Sequence, residues 1–477
     1  MSILSQFHFL LGRDNHQRPN LRQLAERNKR LPAFVRNSPP AMRYLRLLSP
    51  LDWENFPERR LDETRGKAPV PYAPFVASCL IKLDQKLAYM SDLRDYLLEH
   101  PALIWLLGFP TKPCFQTPYF FDPDASLPTH RHFTRMLREI PNSALQFLLK
   151  NSVSLLREEV IGIEPSFGRT VSLDTKHIIA WVKENNPKAY ISERYKKEKQ
   201  PKGDPDCRLG CKRKRNQNIS PKKTPSEYPV PASSVSIGEY YWGYASGVVA
   251  TKVPDWGEFV LAELTQSFDH SDVSYFLPLM SSTEKNLGFR PRYGAFDAAY
   301  DAFYVYEYFH SQEHDGFAAV PFSQKGGYQK RLFASDGRPL CAAGLAMPLK
   351  FTFTDRTRAL VEHQRGKYIC PLAAAEKLDK KCPVQDERWE KGGCTVDLPT
   401  CVGARLRHQI NREGEAYKKI YKQRSATERI NAQATALGIE RPKIRNGQAI
   451  TNQNTLIYVL INLRAVHRIR ALKNKPA

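Results

Sequence analysis

"RYGAFDAAYDAFYVYEYFHSQ", residues 292–312, decides how this chain is read. Tyr293 to Phe296 have the make-up of a short buried strand, and beyond Asp297 aromatic and apolar side chains recur at helical spacing. The change of period falls on Asp297. A carboxylate at the carboxyl end of a strand stands where an α/β sheet presents its chemistry. Asp301, four residues on, is placed on the following helix and away from that chemistry.

Outward from this stretch the pattern stays α/β. Downstream, "GFAAVPF" (316–322) reads as one more strand. Upstream, "TVSLDTKHIIAWV" (170–182), "EYYWGYASGVVATKV" (239–253) and "GEFVLAELTQSF" (257–268) read as a meander of three strands, and "VSYFLPLMSSTEKNL" (273–287) as a helix. Three strands, helix, strand, helix, strand is the order of a ribonuclease H-like mixed sheet. The expected fold is therefore an α/β catalytic core of that kind, with a β-rich insertion and a helical amino-terminal domain in front.

Four regions follow. Residues 1–160 are expected to be a helical DNA-binding domain: "SCLIKLDQKLAYMSDLRDYLLEHPALIWLLGF" (78–109) has apolar residues at helical spacing, with Ser91 as a cap, and "DASLPTHRHFTRMLREI" (124–140) begins a helix that is basic on one side. A packing domain with a solvated face is the plainer alternative. Residues 161–324 hold the first part of the core, interrupted at 183–238 by a basic flexible insertion. Between 183 and 223 there are 14 Lys and Arg against 5 Asp and Glu, including Lys212, Arg213, Lys214 and Arg215. Such a loop suits tracking of a phosphate backbone, or is simply a solvated insert. Residues 325–408, with "LKFTFTDRT" and "KYICP", read as a small antiparallel β insertion, and 409–477 as the helical end of the core.

Composition points to the partner. With 42% hydrophobic residues in a chain of 477, a sizeable core can be buried, and 72 Lys and Arg against 49 Asp and Glu leave a charge of +23 that needs a polyanion. Double-stranded DNA is the leading candidate, because neutralising phosphates releases counterions. No apolar run reaches membrane-span length, the amino end lacks the marks of a signal peptide, and nine unclustered cysteines suit a reducing compartment. The expected location is cytoplasmic, associated with the nucleoid. No P-loop and no Gly-x-Ser-x-Gly elbow is present, so neither ATP hydrolysis nor serine chemistry is indicated.

Three acids fall at meaningful places. Asp174 follows the strand-like "VSL", Asp297 ends "YGAF", and Glu428 lies in "YKQRSATERINAQ" (421–433), on a helix expected to run unbroken from about Glu413. There Tyr421, Arg424 and Glu428 share one helical face, an arrangement that an ordinary solvated ion pair also explains. Any one of these acids alone is most often structural. Converging at one end of a sheet, they form a hard-oxygen set suited to divalent cations that hydrolyse phosphodiesters.

These motifs together, "SLDTK", "AFDAAYD" and Tyr-x2-Arg-x3-Glu, resemble those of the DDE transposases of bacterial insertion sequences, in particular the group with a β insertion between the second Asp and the Glu. The resemblance covers about residues 170–435. It implies that Asp174, Asp297 and Glu428 are catalytic and hold Mg²⁺, with Mn²⁺ as a substitute, and that Tyr421 and Arg424 touch the DNA end. It further implies terminal inverted repeats and target DNA as substrates and a homodimer that pairs the ends. Where the family often has a Lys, seven positions after the Glu, this chain has Thr435; Arg429 or Lys443 is the nearest base. A DNA-binding regulator without catalysis, or a nuclease without strand transfer, are the alternatives. Cys341, Cys370, Cys382, Cys394 and Cys401 in the insertion are either reduced thiols or ligands of a structural Zn²⁺.

Overall fold

The computed structural model describes residues 19–27, 29, 31–60, 69–160, 164–219, 233–310, 316–323, 331–355, 360–374 and 381–474. Six strands form one mixed sheet: β1 (Thr170–Ile179), β2 (Arg208–Ile219), β3 (Ser233–Val253), β4 (Gly257–Ser267), β5 (Tyr293–Ala295) and β6 (Phe317–Ala319). The carboxyl-terminal half of β3 lies between β4 and β1, antiparallel to both, while β5 runs parallel to β1 and β6 parallel to β5. The main order is β4-β3-β1-β5-β6, and β2 pairs with the amino-terminal half of β3 as a ribbon continuing past the sheet.

Strand alternation divides the side chains between two cores. Ile178, Tyr244, Val248 and Val260 join the core under helices α1 (Tyr72–Asp84), α2 (His130–Glu139) and the helices near the carboxyl end. Val171, Leu173, Ala245 and Val249 join the opposite core, with part of α3 (Asn142–Val160), α4 (Phe276–Leu287) and α5 (Phe303–Phe309). Asp174 has the parity of Ile178, so it belongs to the first face. The β insertion is present as a three-stranded antiparallel sheet of β7 (Leu349–Asp355), β8 (His363–Ile369) and β9 (Thr395–Pro399), with β8 central.

After the insertion come α6 (Val402–Gln409), α7 (Glu415–Tyr421), a 3₁₀ turn at Lys422–Arg424, α8 (Ser425–Ala436) and α9 (Gly447–Lys473). The 27-residue α9 is buried along most of its length, although it carries Asn452, Asn454, Thr455 and Asn462. Most of those polar groups are paired; Asn454 Nδ2 donates to Thr265, while its Oδ1 has no partner among the described residues. Asn462 accepts from the Val260 N–H at 3.0 Å and donates to the Val260 carbonyl at 2.9 Å, satisfying the open edge of β4 as a neighbouring strand would. Thr455 and Thr265 donate to Glu263, which is buried in β4. No helix among the described residues is long and apolar enough to cross a membrane.

Several expectations change. The boundary at 160 is not a boundary of packing, because α1, α2 and α3 share their core with α9. Part of the expected basic loop is a strand: Arg208–Ile219 pairs antiparallel with β3, with an irregularity between Arg213 and Arg215, and the exposed Arg208 and Lys212 stand on an edge strand, where such charges discourage further pairing. The side chains of Arg213, Lys214 and Arg215 lie outside the described residues, whereas Lys212 is exposed. Ser91 is not the cap of its helix. That helix begins at Met90, with Tyr89 in the cap position and Asp92 accepting from the Tyr89 N–H.

Candidate active site

Strand register brings the two aspartates together. In the parallel pair β1/β5, Thr170, Val171 and Ser172 stand opposite Tyr293, Gly294 and Ala295. Two residues beyond the last pair on each strand come Asp174 and Asp297, near enough for the charge of Asp297 to act on Asp174. The chain then diverges: β1 continues to Ile179, while β5 stops and Asp297 caps a 3₁₀ turn by accepting from the Ala299 N–H at 2.9 Å. Asp174 Oδ1 accepts from the Thr175 N–H at 2.9 Å. Burial pushes the Asp174 carboxyl up to about 6, and neighbouring Asp297 and Asp272 push the same way against the Thr175 N–H and Arg424. Asp297 is raised as well, by burial first and then by Asp272.

The quoted helix is broken where it matters. Tyr421 ends α7, Arg424 ends the 3₁₀ turn and Glu428 lies in the first turn of α8, so the expected continuous helix is replaced by a tightened joint. This joint packs against β1 and β5. From it Arg424 favours the charged form of both aspartates, sits 5.9 Å from the Tyr421 ring centre and pairs with Glu428 at 2.7 Å. The Glu428 side chain is 51% exposed and meets Arg424. Among the described residues no three His, Cys, Asp or Glu form a group able to hold a metal ion. What is assembled is a pair of hard, mutually repelling carboxylates, a donor set that fits Mg²⁺ at Asp174 and Asp297, with a guanidinium supplying positive charge beside them.

No protein-family model matches the chain, and no curated protein sequence matches it. The site therefore rests on its own chemistry.

Residues not singled out in the sequence complete it. Asn431, one turn after Glu428, is buried and donates from Nδ2 to Asp174 Oδ2 at 3.0 Å. Asp272, ahead of α4, accepts from the Thr175 hydroxyl at 2.6 Å. The buried Tyr300 hydroxyl has no hydrogen-bond partner among the described residues, and its ionisation is suppressed by burial and then by Asp272, Asp174 and Asp297. Asn431 alone left a signal in the sequence, its i,i+3 spacing from Glu428.

Other candidates lie apart from the aspartate pair. Arg429 is exposed and pairs with Glu258 of β4. Thr435 donates to the Asn431 carbonyl at 2.9 Å. Asp301 is no bystander: its carboxylate is fully buried and receives Arg407 Nε at 2.7 Å, the Tyr306 hydroxyl at 2.7 Å and the Ser323 N–H at 2.7 Å, which together hold it below the usual carboxylate range. It ties α6 to the end of β6. In the insertion, burial and then the neighbouring Cys370 and Cys341 push the Cys394 thiol up to about 11. All the described cysteines are free thiols, and they too form no metal-holding group.

Proposed function

We propose that this protein is a DNA transposase, with a ribonuclease H-like core, that cleaves the ends of a mobile element and joins them to target DNA. The reading is carried by one observation, the approach of Asp174, midway along β1, and Asp297, just past the carboxyl end of parallel β5, beside Arg424. The strand order β4-β3-β1-β5-β6, with three antiparallel members followed by two parallel ones, supports the core assignment.

Mg²⁺, or Mn²⁺ in its place, would be held by Asp174 and Asp297 and would supply Lewis-acid polarisation of a phosphodiester and an activated water or hydroxyl. Asn431 fixes the Asp174 carboxylate so that its oxygens are presented in one orientation. Arg424, a planar fork already beside the acids, orients a phosphate. Tyr421 offers a ring against the DNA end. Glu428 would join the aspartates as the third acid once phosphate competes for Arg424. The substrates are double-stranded terminal repeats and target DNA, and two copies would pair the two ends.

The test uses a supercoiled plasmid carrying the DNA that flanks the coding region on both sides of a marker, incubated with the protein and Mg²⁺. Breaks at the marker ends and joined products are expected, and Asp174→Ala should abolish both. Cutting without joining would leave a nuclease. Binding without cutting would leave a regulator.

A further inference from the structure

Beyond the aspartate pair, β1 leads to a second surface. "RPKIR", residues 441–445, is an extended segment in which Pro442 and Ile444 are buried while Arg441, Lys443 and Arg445 are exposed. It is anchored where β1 ends, the Ile179 N–H donating to the Glu440 carbonyl at 2.8 Å. Its cations gather round Trp181, a side chain 39% exposed. Arg445 lies 4.8 Å and Lys443 5.8 Å from the indole centre, and Arg445 Nε donates to the Trp181 carbonyl at 2.9 Å. Tyr89 adds a second exposed ring 6.1 Å from Trp181.

Clefts meet at this point. One of about 480 Å³ is lined by Trp181, Lys183, Arg441 and Lys443, and one of about 260 Å³ by Tyr89, His130, Arg138 and Trp181; Arg445 borders both. A third, of about 620 Å³, runs on past Lys183 and Lys202, with Glu184 and Glu198 on its wall. Among the described residues, none of Lys183, Arg441, Lys443 and Arg445 forms an ion pair with a carboxylate. Lys443 and Arg445, held on the Trp181 ring beside Lys183 and Arg441 at the junction of clefts, complement a phosphodiester chain.

We infer that the face formed by Trp181, Arg441, Lys443 and Arg445 is a second DNA-contact surface, which seats the backbone of the same DNA whose end lies at Asp174 and Asp297. This rests on the DNA-cleaving reading above. Trp181 is seven residues beyond Asp174, mostly along a strand, so the two places are roughly 20 Å apart. At about 3.4 Å per nucleotide, that sets the contact about six nucleotides inside the end.

The test compares the full chain with Arg441→Ala/Lys443→Ala, whose positions are exposed and leave Pro442 and Ile444 in the core. Duplexes from the DNA flanking the coding region are titrated by fluorescence anisotropy at several salt concentrations and footprinted with hydroxyl radicals. The variant should lower the slope of log K against log salt by about two, and lose protection about six nucleotides from the end while keeping it at the end. Trp181→Ala should weaken the same inner protection. Salt-dependent binding by the parent, with an unchanged slope and footprint in both variants, would overturn the surface and leave the transposase reading standing. No salt-dependent binding by the parent would overturn both.

Discussion

Arg424 and Glu428 form an ion pair at 2.7 Å while Arg424 also faces Asp174 and Asp297, so one guanidinium stands between the acids that the proposed chemistry needs together. A DNA phosphate bound by Arg424 competes with Glu428 for the same fork. Metal binding and DNA binding are then linked, each strengthening the other by one shared factor. Mn²⁺ affinity measured by calorimetry should rise when duplex DNA is present. In Arg424→Ala it should be the same with and without DNA, and a DNA-dependent rise persisting in that variant would refute the linkage.

The same variant separates clamp from ornament. A partly exposed i,i+4 pair contributes about 0.3–0.5 kcal/mol, so Arg424→Ala should barely move the thermal midpoint or the far-ultraviolet circular dichroism. Terminal cleavage should fall by about a hundredfold or more, because a phosphate is no longer oriented. Normal cleavage with a slightly lower midpoint would make the residue half of a surface ion pair and nothing more.

Asp297 can be tested by ligand softness. Asp297→Cys replaces a hard carboxylate by a thiolate, so cleavage should be lost in Mg²⁺ and partly recovered in Mn²⁺, which accepts sulfur more readily. Asp297→Asn should stay inactive in both. If the Cys variant is equally dead in the two ions, Asp297 supports the turn through the Ala299 N–H and does not coordinate.

Asp301 should behave in the opposite way. Its buried carboxylate receives Arg407, and breaking such a pair from one side costs about 3–5 kcal/mol because a charge is left without its partner. Urea unfolding of Asp301→Ala should show a loss of that order. A loss below about 1 kcal/mol would mean that water replaces the carboxylate at Arg407.

Glu263 provides a pH signature away from the site. Burial pushes its carboxyl up to about 7, although Thr455, Thr265 and Gln146 donate to it. Its folded pKa is above the unfolded value near 4.3, so the folded state binds the extra proton and stability falls as pH rises from about 4.5 through 7. Glu263→Gln keeps the shape without the proton equilibrium. It should remove a fall of about 3 kcal/mol between pH 5 and 8, read from denaturant midpoints, and an unchanged pH profile would count against this account.

Much of the sheet was legible because its signals are local. Period-two runs marked β1, β3 and β4, and the switch of period at Asp297 marked the end of β5 and the turn behind it. The Tyr421, Arg424 and Glu428 spacing was equally visible, though not its consequence: the 3₁₀ joint at Lys422–Arg424 depends on packing against β1 and β5, which no local pattern records. Charge density alone made 208–219 look like a loop, because the partner that turns it into a strand, β3, begins only at Ser233. Asp301 illustrates the same limit. Its partner Arg407 is 106 residues away, so only the fold tells a buried anchor from a surface acid.

By itself, then, the sequence determined the alternation and the positions of the acids along the chain, since these follow from near-neighbour sterics and polarity. Tertiary structure decided which acids meet. The parallel register of β1 and β5 sets Asp174 beside Asp297, the closure of α8 over β1 brings Asn431 to Asp174, and the pairing with Arg424 holds Glu428 apart, because each of these contacts joins residues more than a hundred positions distant or chooses between partners that local spacing leaves equivalent.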